Sequence, residues 1–285
     1  MRHSNKQCED TSDIQLNGLT AVITGAGMRE QDGPLNIGAA IAIYFAKAGA
    51  NVLITDKYTE LAANTERTIL KGENKEVLPG NIDIAQVDVT NQDSCNSMAK
   101  QAIQTFGRID ILVNNVGIAG PSGKTDQLDT SQLETAFRAN VHSMIHASRA
   151  VLPSMRKNRR GSIINMSSVA SSRAGHHGIA YPTTKAAVNG LTASMAGHEG
   201  EFGIRVNAIL PGLVFTPMVA SRGLTSEQRD VRQNASILKQ EGSAWDVAAA
   251  TAFLASNAAR WITGLMLPVD GGLSILTENL GVRTN

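Results

Sequence analysis

Cysteine is almost missing from this sequence: Cys8 and Cys95 are the only two in 285 residues. Neither forms a CxxC spacing or sits beside a histidine, which argues against a disulfide framework and a structural zinc site. That scarcity suits a reducing compartment, and the expected location is cytoplasmic. Charge of either sign is in no excess, with 26 Lys and Arg against 25 Asp and Glu for a formal net charge of +1. A basic surface for nucleic acid or a site for an acidic partner is therefore not expected. No apolar run approaches the ~20 residues that a membrane-spanning helix needs. The polar stretch 1–11 lacks the apolar segment of a secretory signal. No metal-binding constellation, internal repeat, low-complexity linker or composition break is visible, so no metal and no second domain are expected.

What remains is an ordinary apolar content of 42%, enough for a continuous core in one large domain. Residues 1–16 read as a loose polar arm and 17–285 as a single domain. Strand candidates fall at 20–24, 51–56, 84–89, 111–114, 162–166, 205–209 and 264–269. Most are apolar nearly throughout, as strands buried on both faces of a parallel sheet should be. Helical patterns lie between them at 38–48, 92–106, 132–155 and 181–202. Such alternation predicts an α/β fold, a doubly wound parallel sheet of about seven strands with helices on both faces. The polar segment 216–241 interrupts the pattern and is expected to form a helical flap over the site.

The first strand runs directly into Gly25-Ala26-Gly27, and a helix begins near Asn36, Ile37 and Gly38. Glycines at such a turn let the backbone approach a pyrophosphate, while the helix offers its N-terminal amides. Glycine also punctuates ordinary loops, so the turn alone is weak evidence. Asp56 strengthens it: at the end of the second strand, a carboxylate can accept hydrogen bonds from both ribose hydroxyls of adenosine and repels a 2′-phosphate. This favours NAD over NADP, although Lys57 beside it could help a phosphate bind. Asp56 lies further downstream than the ~20 residues usual for a dinucleotide fold. An insertion at 28–36, with a Gly33-Pro34 turn, accounts for the difference.

Further strings complete a pattern: Asp88-Val89, Asn114-Asn115-Val116-Gly117, Asn140, Ser168, Tyr181-Pro182-Thr183-Thr184-Lys185, Pro211-Gly212-Leu213-Val214-Phe215-Thr216, and Ile262-Thr263-Gly264 followed by Val269-Asp270-Gly271-Gly272. In this order and spacing the sequence resembles the short-chain dehydrogenase/reductase family from residue 16 to 273. It departs in the long glycine loop, in Val116 where the family more often has alanine, and in Pro182. A first-turn proline gives up an amide that the helix would not have used. The resemblance implies a Rossmann-type domain, reversible hydride transfer between NAD and a small-molecule alcohol or ketone, and a homotetramer. It also implies that Asp88 and Val89 bracket the adenine, that Asn115 and Gly117 line the cofactor cleft, that Pro211, Gly212, Val214 and Thr216 border the nicotinamide, and that Lys185 binds its ribose.

The chemistry explains the tyrosine and lysine. Four residues apart on a helix, Tyr181 and Lys185 point to one face. Oxidising an alcohol requires a base for the hydroxyl proton, and a phenol has an ordinary pKa of ~10. Making it available near neutrality takes roughly 4 kcal/mol of differential interaction, which a nearby ammonium helps supply. Ser168, just past a strand end, can hydrogen-bond the substrate oxygen, while Ser167 reads as a loop-backbone partner. Asn140 either makes a core hydrogen bond or, as the resemblance implies, holds a water by its backbone in a proton relay through Lys185. His176 and His177 read as an exposed pair without a catalytic role. Ile118, Ala170, His177, Leu213 and Met218 are expected to form a mostly apolar substrate wall. Two other functions share much of this pattern: an NADPH-dependent reductase of 3-oxoacyl thioesters, against which Asp56 counts, and an idle nucleotide-sensing scaffold, against which Tyr181 and Lys185 count.

Overall fold

The computed structural model describes residues 14–29, 34–71, 80–221 and 223–276. Most of the N-terminal arm, and residues 30–33 of the expected insertion, lie outside this range. Seven parallel strands form one sheet in the order β3-β2-β1-β4-β5-β6-β7. They are β1 (Thr20–Thr24), β2 (Asn51–Asp56), β3 (Ile82–Gln86), β4 (Ile111–Asn114), β5 (Gly161–Met166), β6 (Ile204–Pro211) and β7 (Met266–Val269). Between them run α1 (Ile37–Lys47), α2 (Thr59–Leu70), α3 (Gln92–Phe106), α4 (Thr130–Phe137), α5 (Ser143–Asn158), α6 (Ala180–Glu199), α7 (Pro217–Ala220), α8 (Ser226–Asn234) and α9 (Ala244–Ala255).

Side chains alternate across a strand, and here each face of the sheet has its own core. Ala21, Ile23, Val52, Ile54, Ile111 and Val113 pack with α1, α2 and α9. Val22, Leu53, Leu112 and Ile163 turn the other way, toward α3, α5 and the end of α6. Both faces are apolar, which is why the strands read as unbroken hydrophobic runs. The sheet changes direction between β1 and β4, and their carboxyl ends form the crevice where such folds take their ligands.

Several expected elements shift at their ends, β7 starting at Met266 rather than 264 and β6 running on to Pro211, and two differ more. The third strand occupies Ile82–Gln86 rather than 84–89. It starts early because Ile82 pairs with Val52, and it stops where the Asp88 carboxylate accepts hydrogen bonds from the Thr90 amide and hydroxyl. The long helix expected at 132–155 begins at Thr130, because Asp129 accepts hydrogen bonds from the Ser131 and Gln132 amides. Its middle, Arg138–His142, is a π-turn with Asn140 at the centre, joining α4 to α5.

Under the crevice runs a buried polar chain. Asn114 donates to the Ser148 hydroxyl at 3.2 Å and to the Asn165 side-chain oxygen at 2.9 Å, and Asn165 donates to Thr192 at 3.0 Å. It ties the ends of β4 and β5 to α5 and α6. Asn165→Leu leaves Asn114 with its bond to Ser148 and Thr192 with its bond to the Val188 carbonyl, and each hydrogen bond lost is worth about 0.5–1.5 kcal/mol. We expect a loss of about 1–3 kcal/mol in urea unfolding, whereas a loss under about 0.5 kcal/mol would show that the chain contributes little.

Candidate active site

The glycine turn is built for close approach. Gly25 has φ of +62°, in the left-handed region that favours glycine. A Cβ on Gly38 would lie 2.3 Å from the Gly25 carbonyl oxygen, and one on Gly27 would lie 2.7 Å from the Asp56 carboxylate. Asn36 caps α1, accepting from the Ala39 amide at 2.7 Å and donating to the Gly27 carbonyl at 2.6 Å. Asn115 donates to the Gly25 carbonyl at 2.9 Å, so its side chain clamps the turn. Helix α2 holds the far side: Thr65 donates to the Ala26 carbonyl and Asn64 to that of Met28. The result is a cradle of bare backbone before a helix N-terminus, with Ile37 in the first helical position, and it fits a dinucleotide pyrophosphate.

Asp56 stands beside that cradle, its carboxylate accepting from the Gly27 and Tyr58 amides, each at 3.1 Å. Lys57 points away from it and forms an ion pair of 3.0 Å with Asp88. The hydroxyl of Thr90, together with Lys57, holds the Asp88 carboxyl down at about 2. Val89 is buried, and its carbonyl faces His146.

On α6, Lys185 is buried and donates to the Met166 carbonyl at 2.7 Å. Burial lowers its pKa to about 8. Its ammonium lies 5.6 Å from the centre of the Tyr181 ring. Gly117 makes room, since a Cβ there would come within 3.2 Å of the Lys185 Nζ and 3.5 Å of the Asn140 side-chain oxygen. Asn140 accepts from the Ile118 amide at 2.7 Å and donates to the Ile118 carbonyl and the Thr184 hydroxyl, both at 2.9 Å. The π-turn thereby fastens the loop after β4 to α6, one residue from Lys185. Ser167 donates to the Lys185 carbonyl at 3.0 Å, the backbone partnership expected of it. The next residue, Ser168, caps a short 3-10 turn with its hydroxyl accepting from the Ala170 amide at 3.2 Å.

The end of β6 closes the other side. A Cβ on Gly212 would meet the Asp270 Cβ at 2.5 Å, so this loop passes tightly over the chain after β7. Pro211 ends the strand, Val214 is buried, and Thr216 immediately precedes α7. Behind them lies a charged cluster absent from the sequence expectations. The almost fully buried carboxylate of Glu241 pairs with Arg229 at 2.8 Å and with Arg232. The Arg229 guanidinium also lies 3.6 Å from the Phe215 ring centre, and the Phe215 amide donates to the Gly242 carbonyl. This cluster fastens α8 to the stretch 213–216.

Sequence reasoning also missed the surroundings of Tyr181. His176 is half-buried rather than exposed, and its ring stacks on that of Tyr181 at 5.2 Å and on that of His177 at 4.4 Å. Two histidines a turn before a tyrosine were the available signal, but spacing in a loop does not reveal stacking. Cys95 is buried and its thiol is pushed up to about 11, so it is no nucleophile. Among the described residues no group of side chains could hold a metal ion, and no helix is long and apolar enough to cross a membrane.

The family model described as enoyl-(acyl carrier protein) reductase matches residues 33–274. The chain belongs to the short-chain dehydrogenase/reductase family. This dehydrogenase is 34% identical over 263 residues to the 7α-hydroxysteroid dehydrogenase of Escherichia coli, covering 92% of its own chain and 97% of the relative. It is 35% identical over 262 residues to 3β-hydroxysteroid dehydrogenase 2 of Eggerthella lenta, covering 91% and 96%. A solved 7α-hydroxysteroid dehydrogenase, complexed with NADH and 7-oxo glycochenodeoxycholic acid, superposes with a TM-score of 0.81 at 35% identity, over 90% of this chain and 95% of that one. The dehydrogenase is thus an oxidoreductase that interconverts a secondary alcohol and a ketone with a nicotinamide cofactor.

The depressed pKa of Lys185 sets a sign for stability. Its folded value of about 8 lies below the ordinary 10.5, so the unfolded chain binds more protons between these pH values and folding gains stability as pH rises through them. Relative to Lys185→Met, the cofactor-free wild type should gain on the order of 3 kcal/mol from pH 8 to 10.5, read by denaturant unfolding. A flat difference would show that the ammonium is not desolvated.

Proposed function

We propose that this dehydrogenase uses NAD to oxidise, reversibly, a secondary hydroxyl on a bulky alicyclic skeleton, with Ser168, Tyr181 and Lys185 performing the chemistry. One observation carries the assignment: a buried lysine ammonium beneath the Tyr181 ring, on a helix face that the Asn140 and Ser167 hydrogen bonds fix in place. Its relatives named for 7α- and 3β-hydroxysteroids motivate the substrate class. Ile118 and Met218, both large, apolar and exposed, support it as candidate walls. The homotetramer implied by the family resemblance, and the cytoplasmic location suggested by the scarcity of cysteine, are part of the same reading.

In this mechanism Ser168 hydrogen-bonds the substrate oxygen. Tyr181, as phenolate, takes the hydroxyl proton while the carbinol carbon gives up its hydride, and the carbon–oxygen bond becomes double. The bound nicotinamide supplies the hydride acceptor. The Lys185 ammonium favours the phenolate electrostatically, and its placement against Gly117 and Asn140 gives the proton an exit. A water held by the Asn140 backbone would continue that exit, since the side chain is already committed to Ile118 and Thr184. In the reverse direction Tyr181 returns the proton to the ketone oxygen.

The cradle would hold the pyrophosphate, with Asp56 on the adenosine ribose. Asp56 at the Gly27 amide supports NAD, and the ion pair between Lys57 and Asp88 supports it further by giving that ammonium another partner. The same placement speaks against an NADPH-dependent 3-oxoacyl thioester reductase.

Tyr181→Phe should cut turnover by ~10²–10⁴ while leaving the NAD dissociation constant within about twofold, followed by reduced-nicotinamide absorbance and by cofactor titration. Unchanged turnover removes Tyr181 from its role. Asp56→Ala should raise the NADP-to-NAD ratio of kcat/KM by at least about tenfold, equivalent to ~1.4 kcal/mol. Lys57→Gln should leave that ratio within about twofold, as exposed ion pairs contribute little. A large shift in the lysine variant instead would assign phosphate recognition to Lys57.

A further inference from the structure

Outward from Tyr181 the structure continues in an ordered way that the reaction itself does not require. The rings of Tyr181, His176 and His177 stack in sequence, with neighbouring centres 5.2 Å and 4.4 Å apart. The middle ring is pinned, because its Nδ1 sits 2.9 Å from the Gly178 carbonyl and 3.2 Å from the Gly178 amide. This segment is joined to the loop after β4 by a parallel bridge between Gly123 and Gly178. Glycine is required on both sides: Gly123 has φ of +119°, and a Cβ on Gly178 would come within 3.0 Å of the Pro121 carbonyl. Between the two loops lies a recess of about 380 Å³. Its polar lining residues are Lys124, Thr125, Gln127, His176 and His177, and no acidic residue is among them.

The nearest acids by chain position do not neutralise it. Asp126 shares the short 3-10 turn with Thr125 and Gln127 but does not line the recess. The Asp129 carboxylate is engaged by the Ser131 and Gln132 amides at the start of α4. Among the described residues Lys124 makes no ion pair.

We infer that this recess is a subsite for an anionic group, a carboxylate carried by the substrate at a distance from its reacting carbon. The inference rests on the alcohol–ketone reading of Tyr181, because the stacked histidines are what join the recess to that residue. An alcohol or ketone seated at Tyr181 and extending over His176 brings its far end to Lys124 and His177. Lys124 then supplies charge, while Thr125 and Gln127 supply donors. An uncharged analogue of the same shape would gain none of the charge attraction. The subsite therefore selects among alicyclic substrates by a group remote from the chemistry and appears in KM rather than in kcat.

The test uses a matched pair of ketones: a cyclohexanone bearing a butanoate chain opposite its carbonyl, and the corresponding primary amide. With NADH, the wild type should show a KM about fivefold lower for the carboxylate, the range of an exposed charge pair. Lys124→Gln should erase that preference without changing kcat, and Lys124→Glu should invert it. Both substitutions fall on an exposed side chain, so folding is not at risk. A carboxylate-to-amide ratio unchanged in Lys124→Gln overturns the subsite. If neither ketone is reduced, ligand-observed NMR titration of the same pair onto the NADH-loaded protein decides. A preference for carboxylate that depends on Lys124 keeps the subsite and discards the assigned substrate class, whereas equal binding discards the subsite. Inorganic phosphate bound at Lys124, with no preference between the ketones, would mean a site for free anions and also overturns the inference.

Discussion

The contact on which the rest depends is the approach of α1 to the exit of β1. Only the absence of a side chain at Gly38 lets the first turn of that helix rest against the Gly25 carbonyl. From this follow the bare cradle, the exposed helix N-terminus and the seat of Asp56 beside Gly27. The approach is held from three directions: by the Asn36 cap, by Asn115 from β4, and by Thr65 and Asn64 from α2. The geometry of the turn is thus a property of three elements, and the glycines are the space they share.

The second centre inverts that logic. Where the cradle is emptied of side chains, Lys185 is surrounded by them, and its positive charge is kept in a place where water does not stabilise it. An ammonium there is costly, which is why its pKa falls. The polar groups below and beside it, from Asn114 through Asn165 to Thr192 and from Asn140 to Thr184, are fully occupied with one another. They hold the backbone around Lys185.

Much of this was readable in the chain. Strands buried on both faces announce themselves as apolar runs, so the sheet, its parallel sense and its helices followed from pattern alone. The glycines, Asp56, Ser168, Tyr181 and Lys185 stood out as candidates because each proposed chemistry permits few residue types. Less legible was anything that depends on a partner distant in sequence. Lys57 reads as a possible phosphate ligand, and its ion pair with Asp88 was not visible in the chain. Asn115 was expected to line the cleft, and the hydrogen bonds by which its side chain also clamps the turn could not be read from the chain. Glu241 with Arg229 and Arg232 looked like ordinary polar residues of a flap, because a buried ionic cluster has no periodic signature. His176 was misjudged for the same reason, since burial in a loop is decided by what stacks on it.

The π-turn at Arg138–His142 carries one more meaning. Each residue of an ordinary helix advances the side-chain direction by ~100°, and a wider turn adds a residue without adding a turn of the axis. Helices α4 and α5 are therefore one rod with a phase slip, each half presenting a face that a continuous helix would have rotated away. Asn140 sits at the slip and reaches Ile118 and Thr184 only because of it. What this stretch preserves is a number as much as a set of side chains. A substitution can be absorbed, but a deletion of one residue would restore a regular helix and turn the whole first half out of register with the site it braces.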